Sequence, residues 1–188
     1  MADSTGMAEK LTAPTAARAI KAFLSTAARI IKQHDGEIRG YDGDRVLAIY
    51  LGDDAASNAA KTALEIKWAV DNIVHQSLYL LSEEYRNSMW VLSHRTGIDT
   101  GLALIVRAGV RDDNDLVSIG NAPNIAAKLS DLKGYRTTVT EAVWQKMSYR
   151  TCFSSKDDKA MWTTAASKDI GIGRNVMVRH SNWGWIIN

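Results

Sequence analysis

Residues 30–52 read IIKQHDGEIRGYDGDRVLAIYLG. Two strand-like runs, Glu37-Ile38-Arg39-Gly40 and Arg45-Val46-Leu47-Ala48-Ile49-Tyr50, flank Tyr41-Asp42-Gly43-Asp44. An Asp-Gly turn between two such runs is a strong short-range signal for a β-hairpin. The chain enters it from a helix predicted over residues 14–34. Its apolar positions, Ile20, Phe23, Leu24, Ala27, Ile30 and Ile31, keep the spacing of one helical face. Pro14 suits the first turn, and Gly36 follows the end as a stop.

Beyond the hairpin, Ala56, Ala59, Ala60, Ala63, Val70, Ile73 and Val74 carry a second helical stripe that reaches toward Tyr85. Residues 89–99 and 102–108 read as strands joined at Thr100-Gly101, followed by a polar loop at 111–115. A third helix over 121–132 places Ala122, Ile125, Ala126, Leu129 and Leu132 toward the core. A strand at 136–140, a short helix at 141–147 and a terminal hairpin of 175–180 with 183–187 complete the pattern. Helices separated by hairpins predict an α+β fold, an antiparallel sheet with helices packed on it. The expectation is one domain over residues 1–188, with its core at about 3–147 and a C-terminal extension at 149–188.

Composition narrows the partners. The 188 residues hold 23 Lys and Arg against 21 Asp and Glu, a net charge of +2, far from the basic footprint of a nucleic-acid binder. No run is long enough for a membrane span, and no signal-peptide core opens the chain, so the expected location is the cytoplasm. A single cysteine, Cys152, excludes an intramolecular disulfide and a Cys-rich zinc module.

Three clusters could carry chemistry. A carboxylate held at a hairpin tip, as at Asp44, suits a hard divalent cation, although Asp and Gly are also ordinary turn formers. In Arg95-Thr96-Gly97-Ile98-Asp99-Thr100-Gly101, two glycines four apart permit a bend or a close backbone approach. Asn124 and Lys128, four apart, share a helical flank beside the Ile125/Leu129 stripe. An amide and an ammonium there could orient a sugar and neutralise a phosphate; a solvated flank reads the same way.

Taken together, residues 30–52, HRTGIDTGLALIVRAGV at 94–110 and VSIGNAPNIAAKLSDLKG at 117–134 resemble the catalytic domain of class III nucleotidyl cyclases. They are similar to that family's K-x-x-G-D, R-x-G-I-x-x-G and G-[DN]-x-[VP]-N-x-A-x-[RK]-L patterns. The resemblance implies the ferredoxin-like class III cyclase fold and two Mg²⁺ or Mn²⁺ ions per site, with Asp44 as a metal ligand. Asp3-Ser4-Thr5-Gly6-Met7 looks like the junction after the family's first strand, with Ser4 and Thr5 on substrate and backbone N–H groups cradling phosphates. In that register the usual first metal aspartate falls just before Met1, so strand one and a ligand are expected upstream. Asp3 serves as a ligand only if the loop is re-registered.

The same resemblance places Asn124 on the ribose and Lys128 on the reacting phosphate, with a contribution from Arg95. Lys128 stands where arginine is usual, keeping the charge without the bidentate fork. Gly40 and Val117 occupy the positions with which purine cyclases read the base, leaving Arg39 or Tyr41 to face it. A bulky Tyr41 favours a single-ring base. The pattern looks like the bacterial pyrimidine cyclases of antiphage defence, and implies conversion of UTP to 3′,5′-cyclic UMP and pyrophosphate. A purine cyclase with an atypical pocket and an inactive nucleotide-binding dimerisation module are the alternatives. Family sites are shared between two chains, so a head-to-tail homodimer is implied, Asp44 of one protomer meeting Asn124 and Lys128 of the other.

Overall fold

The computed structural model describes residues 1–110 and 113–187. In chain order the elements are α1 (Ser4–Lys10), α2 (Ala13–Gln33), β1 (Glu37–Asp42), β2 (Arg45–Ile49) and α3 (Ala55–Ala69). A π-helical turn (Val70–Val74) leads into α4 (His75–Leu81) and α5 (Glu83–Asn87). Next come β3 (Thr96–Ile98), β4 (Leu104–Val110), β5 (Asp113–Ile119), α6 (Asn121–Asp131) and β6 (Thr137–Thr140). The chain ends with α7 (Glu141–Trp144), α8 (Tyr149–Cys152), β7 (Ala166–Asp169) and β8 (Asn175–Ser181).

The described strands form three sheets: the β1-β2 hairpin, the β4-β5 hairpin and a central β3-β6-β8-β7 sheet. All pairings are antiparallel except β3 with β6. Helices cover both faces of the central sheet. Val139 of β6 packs with Ala60 and Leu64 of α3, while Val178 of β8 packs with Ile125 and Leu129 of α6. The hairpin lies against α2, where Ile38, Val46 and Ala48 meet Phe23, Ala27 and Ile30. Met1 and Ala2 stitch the two together: Met1 donates to the Asp44 carbonyl at 2.8 Å, and Ala2 bridges to Ser93 just ahead of β3.

One close approach sets the helix that carries the Asn124 flank. A Cβ built on Gly97 would lie 2.0 Å from the Ala126 carbonyl oxygen and 2.7 Å from Leu129 Cβ. Only a residue without a side chain lets β3 lie so near α6.

Several expectations change. The left-handed residue that ends α2 is Asp35, at φ 59°, not Gly36. Only residues 96–98 of the predicted 89–99 strand are sheet, and they pair with β6 rather than with β4. Trp90, Leu92 and His94 alternate inward as a strand would, yet the sole ladder contact there is the Ala2–Ser93 bridge. The π-helical turn advances the helical register by a residue, turning Ile73 outward (46% exposed) and Val74 inward (4%). Of the polar loop at 111–115, residues 111–112 lie outside the described residues and 113–115 belong to β5. The last hairpin is β7-β8; residues 183–187 leave the sheet and dock on α3, where the Trp185 N–H donates to the Leu64 carbonyl at 3.0 Å.

The N-terminus of α2 is capped from a distance. The Glu84 carboxylate accepts from the Thr12 N–H and the Thr15 hydroxyl, and from the Thr12 hydroxyl at 2.9 Å. These bonds, led by the Thr12 N–H, hold the Glu84 carboxyl below its usual range.

Two outcomes follow from this packing. Gly97→Ala should cost about 1–3 kcal/mol of unfolding free energy in a urea titration, as forced overpacking does. A lowered carboxyl pKa contributes stability above the unfolded-state value and loses it as pH falls through the folded-state value. Glu84→Gln should therefore melt below wild type at neutral pH, with the gap closing in acid; a gap that persists in acid contradicts the cap.

Candidate active site

The hairpin turn presents Asp44. Gly43 takes φ 56°, and Asp42 pairs with Arg45, so the two-residue turn is Gly43-Asp44 rather than Asp42-Gly43. The Asp44 side chain is 18% exposed, and its buried Oδ2 accepts no hydrogen bond. The Met1 α-ammonium stands 3.2 Å from that oxygen. Burial lowers the pKa of this ammonium, and the Asp44 charge works against the shift. A sheltered carboxylate oxygen with no donor, already facing a positive group, fits the oxygen ligand a hard cation takes.

Asp3 does not fit in the same way. It sits at φ 60° as the N-cap of α1, and its carboxylate accepts from the Gly6 N–H at 3.3 Å. The Met7 N–H is also taken, by the Asp3 carbonyl at 3.1 Å, so the predicted backbone cradle has two of its donors engaged internally. Ser4 and Thr5 are exposed in the first turn of α1. Among the described residues no three His, Cys, Asp or Glu side chains converge as a metal cluster.

The strand register answers which of Arg39 and Tyr41 faces outward. Pairing shifts between Ile38 and Gly40, leaving Arg39 as a bulge. Its guanidinium bonds Glu37, while its Nε is buried without a partner. Tyr41 lies opposite Val46 and stays 55% exposed. Val117, on β5, is 42% exposed. It belongs to an arm whose Leu104, Ile105, Val106 and Ile119 are exposed as well.

Asn124 and Lys128 are exposed on α6, beside the buried Ile125 and Leu129. Arg45 Nη2 donates to Asp131 Oδ1 at 2.9 Å, tying the hairpin turn to the last turn of α6. Asn124 lies two helical turns back, roughly 10 Å along the axis. Among the described residues no hydrogen bond or ion pair joins Asp44 to Asn124 or Lys128. Arg95 is committed through its Nε to the Ser130 carbonyl at 3.1 Å.

The sequence reading missed a polar cavity of about 390 Å³ at the end of the central sheet, lined by Lys67, Asp71, Arg95, Tyr135, Arg136 and Asn182 among others. These residues come from four separate stretches with no common spacing, so no motif announces them. His94 also borders it, 1% exposed, with neither ring nitrogen bonded. Burial, and then the positive charges of Arg136, the Met1 ammonium and Lys67, push its pKa down to about 3.

The architecture is that of class III cyclase domains. It superposes on the crystal structure of the guanylyl cyclase Cya2 with a TM-score of 0.78, at 16% identity, over 96% of this chain and 87% of that one. For a bacterial light-regulated adenylyl cyclase the TM-score is 0.75, at 19% identity, over 100% of this chain and 51% of that one. No protein-family model matches the chain. Curated relatives narrow the class. The chain is 35% identical over 185 residues to the uridylate cyclase of Xanthomonas perforans, covering 98% of this chain and 77% of the relative. It is 37% identical over 171 residues to that of Burkholderia cepacia, covering 91% and 70%. With that of Rhodovulum sp. (strain MB263) it shares 37% over 148 residues, 78% of this chain and 62% of the relative's length. The chain belongs to the uridylate cyclase family.

His94 makes acid stability testable. Its folded-state pKa is depressed, so the unfolded chain takes up a proton near 6.5 that the folded one refuses until about 3. The contribution is destabilising as pH falls through that window. His94→Leu should lose less stability than wild type between about pH 7 and pH 4.5 in urea titrations; an unchanged pH dependence would place the imidazole in water.

Proposed function

We propose that the chain is the catalytic domain of a uridylate cyclase, converting UTP to 3′,5′-cyclic UMP and pyrophosphate. The observation that carries this reading is the 35% identity to a uridylate cyclase along 185 of the 188 residues. In the reaction the ribose 3′-oxygen attacks the α-phosphorus. One O–P bond forms, the bond to the bridging α–β oxygen breaks, pyrophosphate leaves, and the 3′-hydroxyl proton passes to solvent.

Asp44 is the residue that fits a Mg²⁺ or Mn²⁺ ion here, two being implied per site. Such an ion supplies Lewis acidity to the phosphate and lowers the pKa of the 3′-hydroxyl. Asn124 orients the ribose through its amide, and Lys128 places positive charge where negative charge develops. Tyr41, or Arg39 released from Glu37, bounds the base. Gly40 offers no side chain there and Val117 no polar group, which leaves the base to be read by size and by Arg39 or Tyr41. The hydroxyls of Ser4 and Thr5 lie within the same reading as substrate contacts.

The working unit is a homodimer. Two features support it: Asp44 and Asn124 lack any contact within one chain, and the β4-β5 arm exposes apolar side chains on both faces. A second copy covering that arm would bring the α6 flank of one protomer to the hairpin of the other. No helix among the described residues is long and apolar enough to cross a membrane, in keeping with a cytoplasmic enzyme. A role in antiphage signalling belongs to the same reading. The engagement of Asp3 with Gly6 favours a second one, a module that binds nucleotide without turning it over.

Incubating the protein with each of the four nucleoside triphosphates and Mn²⁺ separates these. A cyclic product from UTP alone is expected, and Asp44→Ala should abolish it. Mixing Asp44→Ala with Asn124→Ala subunits should restore turnover, since one shared site is then intact. Preference for ATP or GTP contradicts the substrate, and binding of UTP without product leaves the inactive module.

A further inference from the structure

The polar cavity at the sheet end offers hydrogen-bond donors almost exclusively. Lys67 Nζ stands 3.0 Å and Arg136 Nη2 2.8 Å from the Asp71 carboxylate, the single carboxylate on its wall. Lys67, Arg95 and Arg136 together carry three positive charges against that one. Arg95 uses only its Nε internally, which leaves its terminal nitrogens available. Asn182 accepts the Arg136 N–H on its Oδ1 at 2.9 Å, so its amide nitrogen is free to donate. Ser93 and Tyr135 add two hydroxyls without a protein partner among the described residues.

The field in the cavity is positive, as the three cations acting on the neighbouring His94 imidazole attest. Asp71 sits in the π-helical turn, an irregularity that recurs at functional sites. None of Asp3, Ser4, Thr5, Asp44, Asn124 or Lys128 lines the cavity. It is therefore built from different residues than the nucleotide site.

We propose that this cavity is an oxyanion site of the phosphate and pyrophosphate class, beside the nucleotide site and separate from it. Asp71 acts as a counter-charge that keeps Lys67 and Arg136 in place until the anion arrives. Charge-assisted bonds from several donors are the strong ones, and guanidinium forks match phosphate geometry. Binding itself does not depend on the cyclase reading; identifying the occupant with the pyrophosphate released in turnover does.

Calorimetric titration of the full chain with inorganic pyrophosphate, and separately with inorganic phosphate, tests this. Lys67→Gln and Arg136→Gln should each weaken binding by roughly tenfold or more, the loss expected for one charge-assisted bond. Asp71→Asn should tighten it, a gain that a misfolded variant cannot give and that holds the test open if Arg136→Gln fails to fold. A non-hydrolysable UTP analogue at saturation should leave the titration unchanged. Tighter binding of pyrophosphate assigns the occupant to the leaving group, and tighter binding of phosphate assigns it to a free anion. The proposal falls if neither anion binds, if Lys67→Gln and Asp71→Asn leave affinity unchanged, or if the UTP analogue displaces the anion one for one. Anion binding with this mutational pattern but no UTP turnover keeps the site and removes the cyclase reading.

Discussion

The contact of β3 with α6 at Gly97 is the constraint from which the rest of the site is set. Backbone there meets backbone, with the Ala126 carbonyl oxygen and the Ser130 nitrogen occupying the space that any side chain would need. That proximity fixes the rotation of α6: Ile125 and Leu129 face β8, so Asn124 and Lys128 must face away. It also brings Ser130 to Arg95, and Asp131 to the hairpin through Arg45. The exposed Arg45–Asp131 pair contributes little energy of its own. Its value is positional, for it records where the end of α6 stands relative to Asp44.

Much of this was legible in residue order. The helix before the hairpin, the hairpin itself and the α6 flank all rest on local periodicity and turn chemistry, and they fold where those rules put them. Trp90, Leu92 and His94 misled because alternation reports which side is buried, not whether a neighbouring strand supplies hydrogen bonds. The C-terminal residues misled for the opposite reason. Trp183–Ile187 has strand-like composition, but α3 offers a carbonyl at Leu64 and a cleft beside Trp68 that the sheet does not. Ile73 was assigned inward by a 3.6-residue period that the π-helical turn interrupts, and no residue in that turn advertises it.

For the site, the sequence carried residue identities better than residue states. Asp44 stands at the turn as expected, yet whether its carboxylate would be sheltered and free of donors depends on packing by Met1 and Ala2. Asp3 illustrates the converse. The same acidic group that reads as a ligand is also a good N-cap, and local geometry chooses the cap. The cavity at the sheet end depends wholly on tertiary structure, since Lys67, Asp71, Arg95, Arg136 and Asn182 meet only once α3, β6 and β8 are stacked.

The irregular turn at Val70–Val74 also bears on how such a chain could have diverged. Removing one residue from it would let a single uninterrupted helix run from α3 into α4, at no local cost in hydrogen bonds. Everything downstream would swivel by about 100°, carrying Glu84 off the start of α2 and Val74 out of the interior. Length in this stretch is thus less forgiving than side-chain identity: point changes are absorbed, whereas a one-codon loss re-aims a quarter of the molecule.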